Sequence, residues 1–436
     1  MFENILIYFY RLGNEALAAM LIGIDDTDSK RGMCTTYLGT LLKNSLEREL
    51  GEKIQLRLVR LNPTIRYKTR GNAAICVSIC HSYDVQDIVR KHIERMAHLD
   101  DDNTHPGAVF YHDFQVPTDI QCFARDAMHG ELRLEQAIEL IQRHGLDSIS
   151  FKNGRGLIGA LAAIGARSQD CNSFELIAYR FARNLQKKRY INAQSVWHAD
   201  TSTYPYTWDT LDRSGKAVLC APHSADPILY GVRGDDPNQI LAAHRKIISE
   251  PYEYLTLYQT NQGTDAHVRL AKIRNLQHGC SYKVVAAVKS EPWTISGGHT
   301  FVSVADGSGE LLCVAFEPTK HFRATVRKLR VGDKVTVQGS YVNDSLHLEK
   351  LRILELSDLY EHDNPVCCGK SMKSRGHNKG FKCSKCKAVS DAKLGPRLLK
   401  REIVAGAYEV TPSARRHLAE PLIRRHDLGY PVFPSR

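Results

Sequence analysis

At 436 residues the chain is too long for one hydrophobic core, and its length predicts about three or four domains. It carries 59 Lys and Arg against 48 Asp and Glu, a formal net charge of +11. That balance favours a polyanionic partner such as nucleic acid, although a merely soluble basic protein has it too. No apolar run reaches the length of about 18 residues that a membrane-spanning helix needs. Twelve cysteines without a disulfide-like framework fit a reducing cytoplasm.

Residues 1–19 include the apolar stretch Ile5–Tyr10 but lack a basic n-region and a convincing cleavage site. They read as an extension or a misplaced start, with Met20 the expected first residue. Leu21 to Ile24 is a short apolar run expected to form a buried strand, and it ends in Asp25, Asp26 and Asp28. Carboxylates this close repel unless a cation sits among them. Gly32 then loosens the backbone, and Thr35 and Thr36 open a helix with Leu38, Leu41, Leu42 and Leu46 on one face. Carboxylates at a strand end can hold Mg²⁺, and free N–H groups at a helix start attract phosphate, with the Thr35 hydroxyl between them. An N-capped helix after an Asx-rich turn is the plainer reading of the same residues.

The run Ile22–Ser29 followed by Gly32–Gly39 resembles the opening of the archaeal 2-agmatinylcytidine synthetases, which act on the minor isoleucine tRNA. Arg60–Pro63, Lys68–Asn72, Asn153–Ala160 and Thr260–Asp265 resemble the same family in the same order. The likeness runs from about Met20 to near the C-terminus. It implies a multidomain α+β protein whose first part, 20–148, is an α/β kinase-like ATP-binding catalytic domain. A ferredoxin-like domain is expected over 149–278, its border with the first approximate and open to interleaving.

Within the first part, Ile54–Leu61, Asn72–Cys80 and Ala108–Tyr111 read as strands, and Ser82–Met96 and Glu131–His144 as helices. Arg66, Lys68 and Arg70 sit on a Gly-bounded loop, where they either grip phosphates or form a solvated rim. Asn153–Gly159 has a G-x-G-x-x-G spacing that leads into a small-residue helix over Ala160–Ala166. Such glycines let amides approach a phosphate, but tight packing of an Ala-rich helix selects them equally. No acidic residue follows at the spacing of a dinucleotide fold. The resemblance implies that this loop holds ATP beside the acidic loop. Gly32, Thr36, Lys68, Arg70, Asn153, Gly154, Arg155, Gly156 and Gly159 are therefore the ATP-binding candidates. Asp25, Asp26 and Asp28 are the catalytic metal or base candidates, Asp25 and Asp26 for Mg²⁺. The family pattern makes Thr35 the hydroxyl expected to receive phosphate.

Phe174–Leu185 reads as an apolar-periodic helix, strand-like pieces flank Trp197–Thr210, and Pro237–Lys246 reads as a helix. Agmatine is a dication whose site needs carboxylates or carbonyls to replace water. Asp209, next to Trp208 for cation–π contact, and Asp265 are the agmatine candidates, with turn capping as their alternative role.

Residues 281–356 read as five strands with one helix, Thr319–Leu329, between the third and fourth. This is the order of an OB-fold barrel, which binds oligonucleotides on its strand 2 and 3 face. Over 363–390, Cys383 and Cys386 form a zinc knuckle to be completed by Cys367 and Cys368. The adjacent pair departs from the usual two-residue gap, since neighbouring side chains point apart on extended backbone; His362 or His377 is a possible substitute. A segment with so little core needs the metal to fold. Residues 391–436 read as a basic tail, with Arg415, Arg416, Arg424 and Arg425 either touching phosphates or solvated.

The resemblance thus implies a carbon–nitrogen ligase that uses ATP, Mg²⁺ and a structural Zn²⁺. ATP, consumed to AMP, activates the C2 carbonyl of the wobble cytidine in the CAU anticodon, and agmatine displaces the phosphate so that the tRNA decodes AUA. Two alternatives remain: a non-catalytic OB and zinc-ribbon nucleic-acid binder, and an Mg²⁺-dependent nuclease built on the same carboxylates. No protein partner is legible in the sequence.

Overall fold

The structure, a computed structural model, describes residues 20–113, 115–166, 170–377, 379–391, 396–425 and 429–436. The extension expected over 1–19 lies outside them.

Nine strands between residues 20 and 260 join in one sheet. Its strands are β1 (Met20–Asp25), β2 (Gln55–Arg60), β3 (Ala73–Ile79), β4 (Gly107–Tyr111), β5 (Asp147–Ser150), β6 (Ser173–Arg180), β7 (Thr207–Trp208), β8 (Ile228–Gly234) and β9 (Tyr252–Thr260). They lie in the order β5-β4-β1-β3-β2-β9-β6-β8-β7. The join is the parallel pairing of β2 with β9, Arg57 opposite Gln259 and Leu58 opposite Thr260. The Thr260 hydroxyl also donates to the Leu58 carbonyl at 2.6 Å.

Helices α1 (Thr35–Leu50) and α2 (Gln86–Met96) cover one face of this sheet. The other face is covered by α3 (Thr118–His129), α4 (Leu134–Arg143) and α5 (Gly156–Gly165). Strand β1 alternates between the two layers, with Met20, Ile22 and Ile24 in one core and Leu21 in the other. Helix α5 packs on β1 and β4, so the segment after residue 153 completes the first half of the sheet.

One expectation fails here. Phe174–Leu185 is not a helix: Leu176 and Ala178 enter the core beneath α6 (Ala193–Thr203) and α7 (Pro237–Lys246), whereas Ile177 and Tyr179 enter the core beneath α1. A central strand buried on both faces presents a continuous apolar run that mimics a helical one. Helix α3 carries no strong cap and was not anticipated; α6 begins at Asn192, whose side chain accepts the Ser195 N–H at 3.0 Å.

Residues 280–355 form a closed five-stranded barrel from β10 (Cys280–Val288), β11 (Thr300–Ala305), β12 (Glu310–Ala315), β13 (Lys334–Val342) and β14 (Ser345–Glu355), with α8 (His321–Val326) between the third and fourth. Parallel pairing of β12 with β14, Leu312 opposite Ser345, closes it. A short strand β15 (Gly406–Glu409) then adds to β14.

The expected basic tail is instead a clamp. Buried Arg415 bonds Asp209 of the large sheet's half and Glu409 of β15, the latter at 2.8 Å. Arg424 reaches Asp235 at 2.7 Å, Arg416 reaches Glu349 at 2.8 Å, and Arg436 reaches Asp200 at 3.0 Å. Leu418, Ala419 and Leu422 are buried alongside.

Candidate functional site

Strand β1 is buried along its length and delivers Asp25 at its end, after which Asp26 takes a left-handed conformation (φ 58°). That turn spreads the three carboxylates. Asp26 accepts two hydrogen bonds from Arg155, at 3.1 Å from Nε and 2.8 Å from a terminal nitrogen, and a third from the His105 N–H at 3.3 Å. Asp28 accepts from Arg70 at 3.0 Å, and the same guanidinium donates to the Ser29 carbonyl at 2.8 Å and to the Met33 carbonyl. The sequence-distant cations Arg70 and Arg155 therefore both serve the acidic loop. Asp25 faces α5, where a Cβ on Gly159 would lie 1.8 Å from its carboxylate oxygen. A Cβ on Gly156 would come within 2.4 Å of the Gly107 amide nitrogen.

Burial raises all three carboxylates. Asp25 is pushed well above its usual range by burial and by the charge of Asp26. Burial lifts Asp26 to about 7 although Arg155 opposes it, and lifts Asp28 although Arg70 opposes it. Such a set gains from a divalent cation nearby. The three do not converge on one point as a closed protein site would. Mg²⁺ commonly takes one or two carboxylates and completes its shell with substrate phosphates and water, which this spread permits.

Helix α1 starts at Cys34 with no side-chain cap and no acidic residue in its first turn. The N–H groups of Thr35, Thr36 and Tyr37 have no acceptor among the described residues. The Thr35 hydroxyl is buried and accepts from Thr27 at 3.1 Å. The glycine loop behaves differently from expectation. Gly154, Gly156, Leu157 and Ile158 donate their N–H groups to backbone carbonyls, and Arg155 donates its own to the Asn153 side chain. Those amides are not free for a phosphate. Gly156 and Gly159 serve close packing of α5, and Asn153 and Arg155 supply the loop's polar side chains.

A cavity of about 660 Å³ gathers these groups. It is lined by Asp25, Asp26, Asp28, Thr35, Thr36, Lys68, Arg70, Asn153, Arg155 and Gly159 among the expected residues. Gly32, Gly154 and Gly156 are not in its wall. Lys68 is turned back onto the Pro63 carbonyl. The opposite wall comes from the second half of the sheet and was not anticipated: Glu175, Asp226, Arg233 and the 219–224 segment, with His417 of the C-terminal clamp. Burial would raise Glu175, but Arg233 at 3.1 Å and Arg60 at 3.7 Å outweigh it and hold the carboxyl low. Arg60, then burial, hold His417 well below the usual imidazole value, so it faces the cavity uncharged. Tyr67, under the Arg155 guanidinium at 5.3 Å, was also missed. No spacing in the sequence marks these residues, because strand pairing rather than a local motif brings them together.

The agmatine candidates do not line this cavity. Asp209 bonds buried Arg415. Asp265 bonds Lys350 and Arg425, the latter at 2.9 Å, and Lys350 with His267 holds it low against the effect of burial. Both carboxylates are already neutralised by the clamp and the barrel.

The four cysteines fulfil the metal pattern. The Sγ atoms of Cys367, Cys368, Cys383 and Cys386 all lie within 4.8 Å of one another. Cys368 is left-handed (φ 52°), which turns its side chain back beside that of Cys367 and removes the objection to an adjacent pair. Neither histidine is needed: His377 is exposed and outside the cluster, and the side chain of His362 lies outside the described residues. Cys383 is lowered to about 6 by the N–H groups of Cys386 and Lys385, which favours the thiolate a metal binds.

Family models match the chain as "TiaS TCKD domain" over 21–153, "TiaS FLD domain" over 154–267 and "TiaS C-terminal zinc ribbon domain" over 364–403. The isoleucine-tRNA 2-agmatinylcytidine synthetase TiaS of Methanosarcina acetivorans is 45% identical, covering 96% of this chain and 100% of that protein. Its counterpart from Archaeoglobus fulgidus is 42% identical, over 94% and 99%. A crystal structure of TiaS in complex with its isoleucine tRNA and ATP superposes with a TM-score of 0.88 at 41% identity, and one of TiaS with that tRNA, AMPCPP and agmatine with 0.84 at 38%. Each covers 95% of this chain and 99% of the matched chain. With relatives of this identity spanning nearly its whole length, the chain belongs to the TiaS family of isoleucine-tRNA 2-agmatinylcytidine synthetases.

Proposed function

We propose that this chain is an ATP-dependent tRNA-modifying ligase that joins agmatine to C2 of the wobble cytidine in the CAU anticodon of the minor isoleucine tRNA. The observation that carries the reading is one cavity holding three reluctant carboxylates, an uncapped helix start and a buried threonine hydroxyl. Asp25 and Asp26 fit an Mg²⁺–ATP complex; the ion supplies charge neutralisation for phosphoryl transfer when bound. Arg70 and Arg155 lie beside them to receive phosphate oxygens, and the free amides of Thr35 and Thr36 add neutral donors. The Thr35 hydroxyl stands where it can accept a phosphoryl group. Transfer of phosphate to the cytidine O2 turns that oxygen into a leaving group. The primary amine of agmatine then bonds C2, the C2–O bond breaks with phosphate departing, and the nitrogen loses its proton. ATP ends as AMP.

On the facing wall Asp226 replaces Asp209 and Asp265 as the carboxylate for the agmatine dication. It is buried, lies close enough to raise Asp28, and accepts from Arg189 at 3.2 Å, from the Ile228 N–H at 3.0 Å and from the Ser224 hydroxyl, so agmatine would exchange with these donors. The sheet's first half acts as a kinase-like module, the second as a ferredoxin-like one, the barrel as an OB fold and 363–390 as the zinc ribbon, in the cytoplasm. The test is mass spectrometry of nucleosides from unmodified isoleucine tRNA with a CAU anticodon after incubation with Mg²⁺, ATP and agmatine. An ATP-dependent, agmatine-sized gain on the wobble cytidine, lost in Thr35→Ala, is expected. Tight tRNA binding without any gain would return the chain to the non-catalytic binder, and ATP-independent cleavage to the nuclease.

A further inference from the structure

The connection between β10 and β11 carries the barrel's one tryptophan. Trp293 is 43% exposed, an unusual position for so large an apolar ring. It is not a loose loop residue. Trp293–Thr294 pairs antiparallel with Thr300–Phe301 of the second barrel strand and lays the indole against the Phe301 ring, with centroids 5.6 Å apart and planes 19° from parallel. Among the described residues no other ring or guanidinium stacks on that indole. The platform extends the strand 2 and 3 face, the surface on which barrels of this order take oligonucleotides.

The surroundings are basic. Residues 320–330, which contain α8, hold Lys320, Arg323, Arg327, Lys328 and Arg330 and no acidic residue. Glu317 lies 3.7 Å from Arg323 and Glu291 lies 3.5 Å from Arg330. Lys320, Arg327 and Lys328 form no ion pair among the described residues. Arg327 ties this segment to the platform, since its Nε donates to the hydroxyls of Thr294 at 3.2 Å and Thr300 at 3.1 Å. A flat, half-open aromatic stack bordered by unpaired cations matches the two chemical features of single-stranded nucleic acid, a π-face and an adjoining phosphate. A protein surface would complement neither so well.

We propose that Trp293, backed by Phe301, is a stacking platform for one unpaired base of the RNA substrate, with Arg327 and Lys320 meeting the adjacent phosphates. The proposal deepens the tRNA reading and rests on it for the identity of the RNA. No residue of the platform lines the reaction cavity, so its contribution falls on tRNA binding rather than on chemistry.

Binding of the full-length tRNA to the whole protein tests this. Trp293→Ala should weaken it by about fivefold to 150-fold, the loss of one base–aromatic stack. Trp293→Phe should restore most of the affinity. In steady state Trp293→Ala should raise KM for tRNA and leave kcat and KM for ATP unchanged. The chain has three tryptophans, of which Trp208 is buried and Trp197 is half-buried beneath the Arg213 guanidinium at 5.4 Å. Fluorescence quenching on tRNA addition should therefore be largely lost in Trp293→Phe while binding persists. Affinity of Trp293→Ala within twofold of wild type would overturn the platform. If wild type binds tRNA through Trp293 yet transfers no agmatine, the platform stands and the ligase reading falls; agmatine transfer with no effect of Trp293→Ala gives the reverse.

Discussion

Replacing Gly159 by alanine asks whether the small-residue helix positions the chemistry or merely packs. The added Cβ would lie 1.8 Å from the Asp25 carboxylate oxygen, 2.5 Å from its Cγ and 2.9 Å from its Cβ. Ordinary carbon contacts are about 3.5–4.0 Å, so the gap must open by roughly 1.5–2 Å. Rotating the carboxylate does not suffice, because the Asp25 Cβ is itself too near. Helix α5 cannot slide freely either: Gly23 sits against the Ala160 carbonyl, where a Cβ would come within 1.9 Å. Overpacking of this kind costs about 1–3 kcal/mol, and the gain in helix propensity from Gly to Ala returns about 1 kcal/mol. The melting temperature should therefore fall by only a few degrees. Turnover should fall far more, since a displacement of about 1 Å at a reacting group can cost on the order of 100-fold. ATP-dependent agmatine incorporation and a thermal melt on the same preparation separate the two. Incorporation within twofold of wild type would refute the claim that contact with Gly159 sets Asp25.

The pH dependence follows from Asp26. Its folded value of about 7 exceeds the unfolded value, so the native state keeps a proton that the unfolded chain has released. In the absence of metal, stability should decline as pH rises from about 4 to 7. Mg²⁺ needs the carboxylate, so the Mg²⁺ concentration for half-maximal ATP turnover should rise about tenfold for each pH unit below 7 and level above it; a flat profile would remove Asp26 from the metal site. Zinc should bind at one equivalent per chain, and Cys383→Ser should lose it; unchanged stoichiometry by metal analysis would withdraw the cluster. Arg415→Ala leaves Asp209 and Glu409 buried without their cation and should cost about 3–5 kcal/mol in a melt, whereas Asp209→Asn should leave KM for agmatine unchanged. Asp226→Asn should raise KM for agmatine without altering ATP affinity, as initial rates would show.

What the sequence disclosed was whatever chemistry is local along the chain. The acidic loop follows an apolar strand and precedes an amphipathic helix within eighteen residues, so strand, carboxylates and helix start were legible together. The barrel strands were legible for the same reason, since each alternates and is bounded by turns. Glu175 and Asp226 were not, because the parallel pairing of Arg57 with Gln259 carries them to the cavity across some 200 residues of chain. The same pairing explains why Phe174–Leu185 deceived: a strand sealed on both faces loses the polar alternation that would identify it. Asp209 and Asp265 misled in the opposite sense. A carboxylate beside a tryptophan or a glycine turn looks like a cation site, and each is one, but the cations are Arg415, Lys350 and Arg425 of the chain itself. A basic C-terminus read as either touching phosphates or solvated spends its charge internally instead. By binding both the large sheet and the barrel it fixes His417 in the cavity wall, which makes the geometry of the reaction chamber depend on residues more than 350 positions from the loop that carries the chemistry.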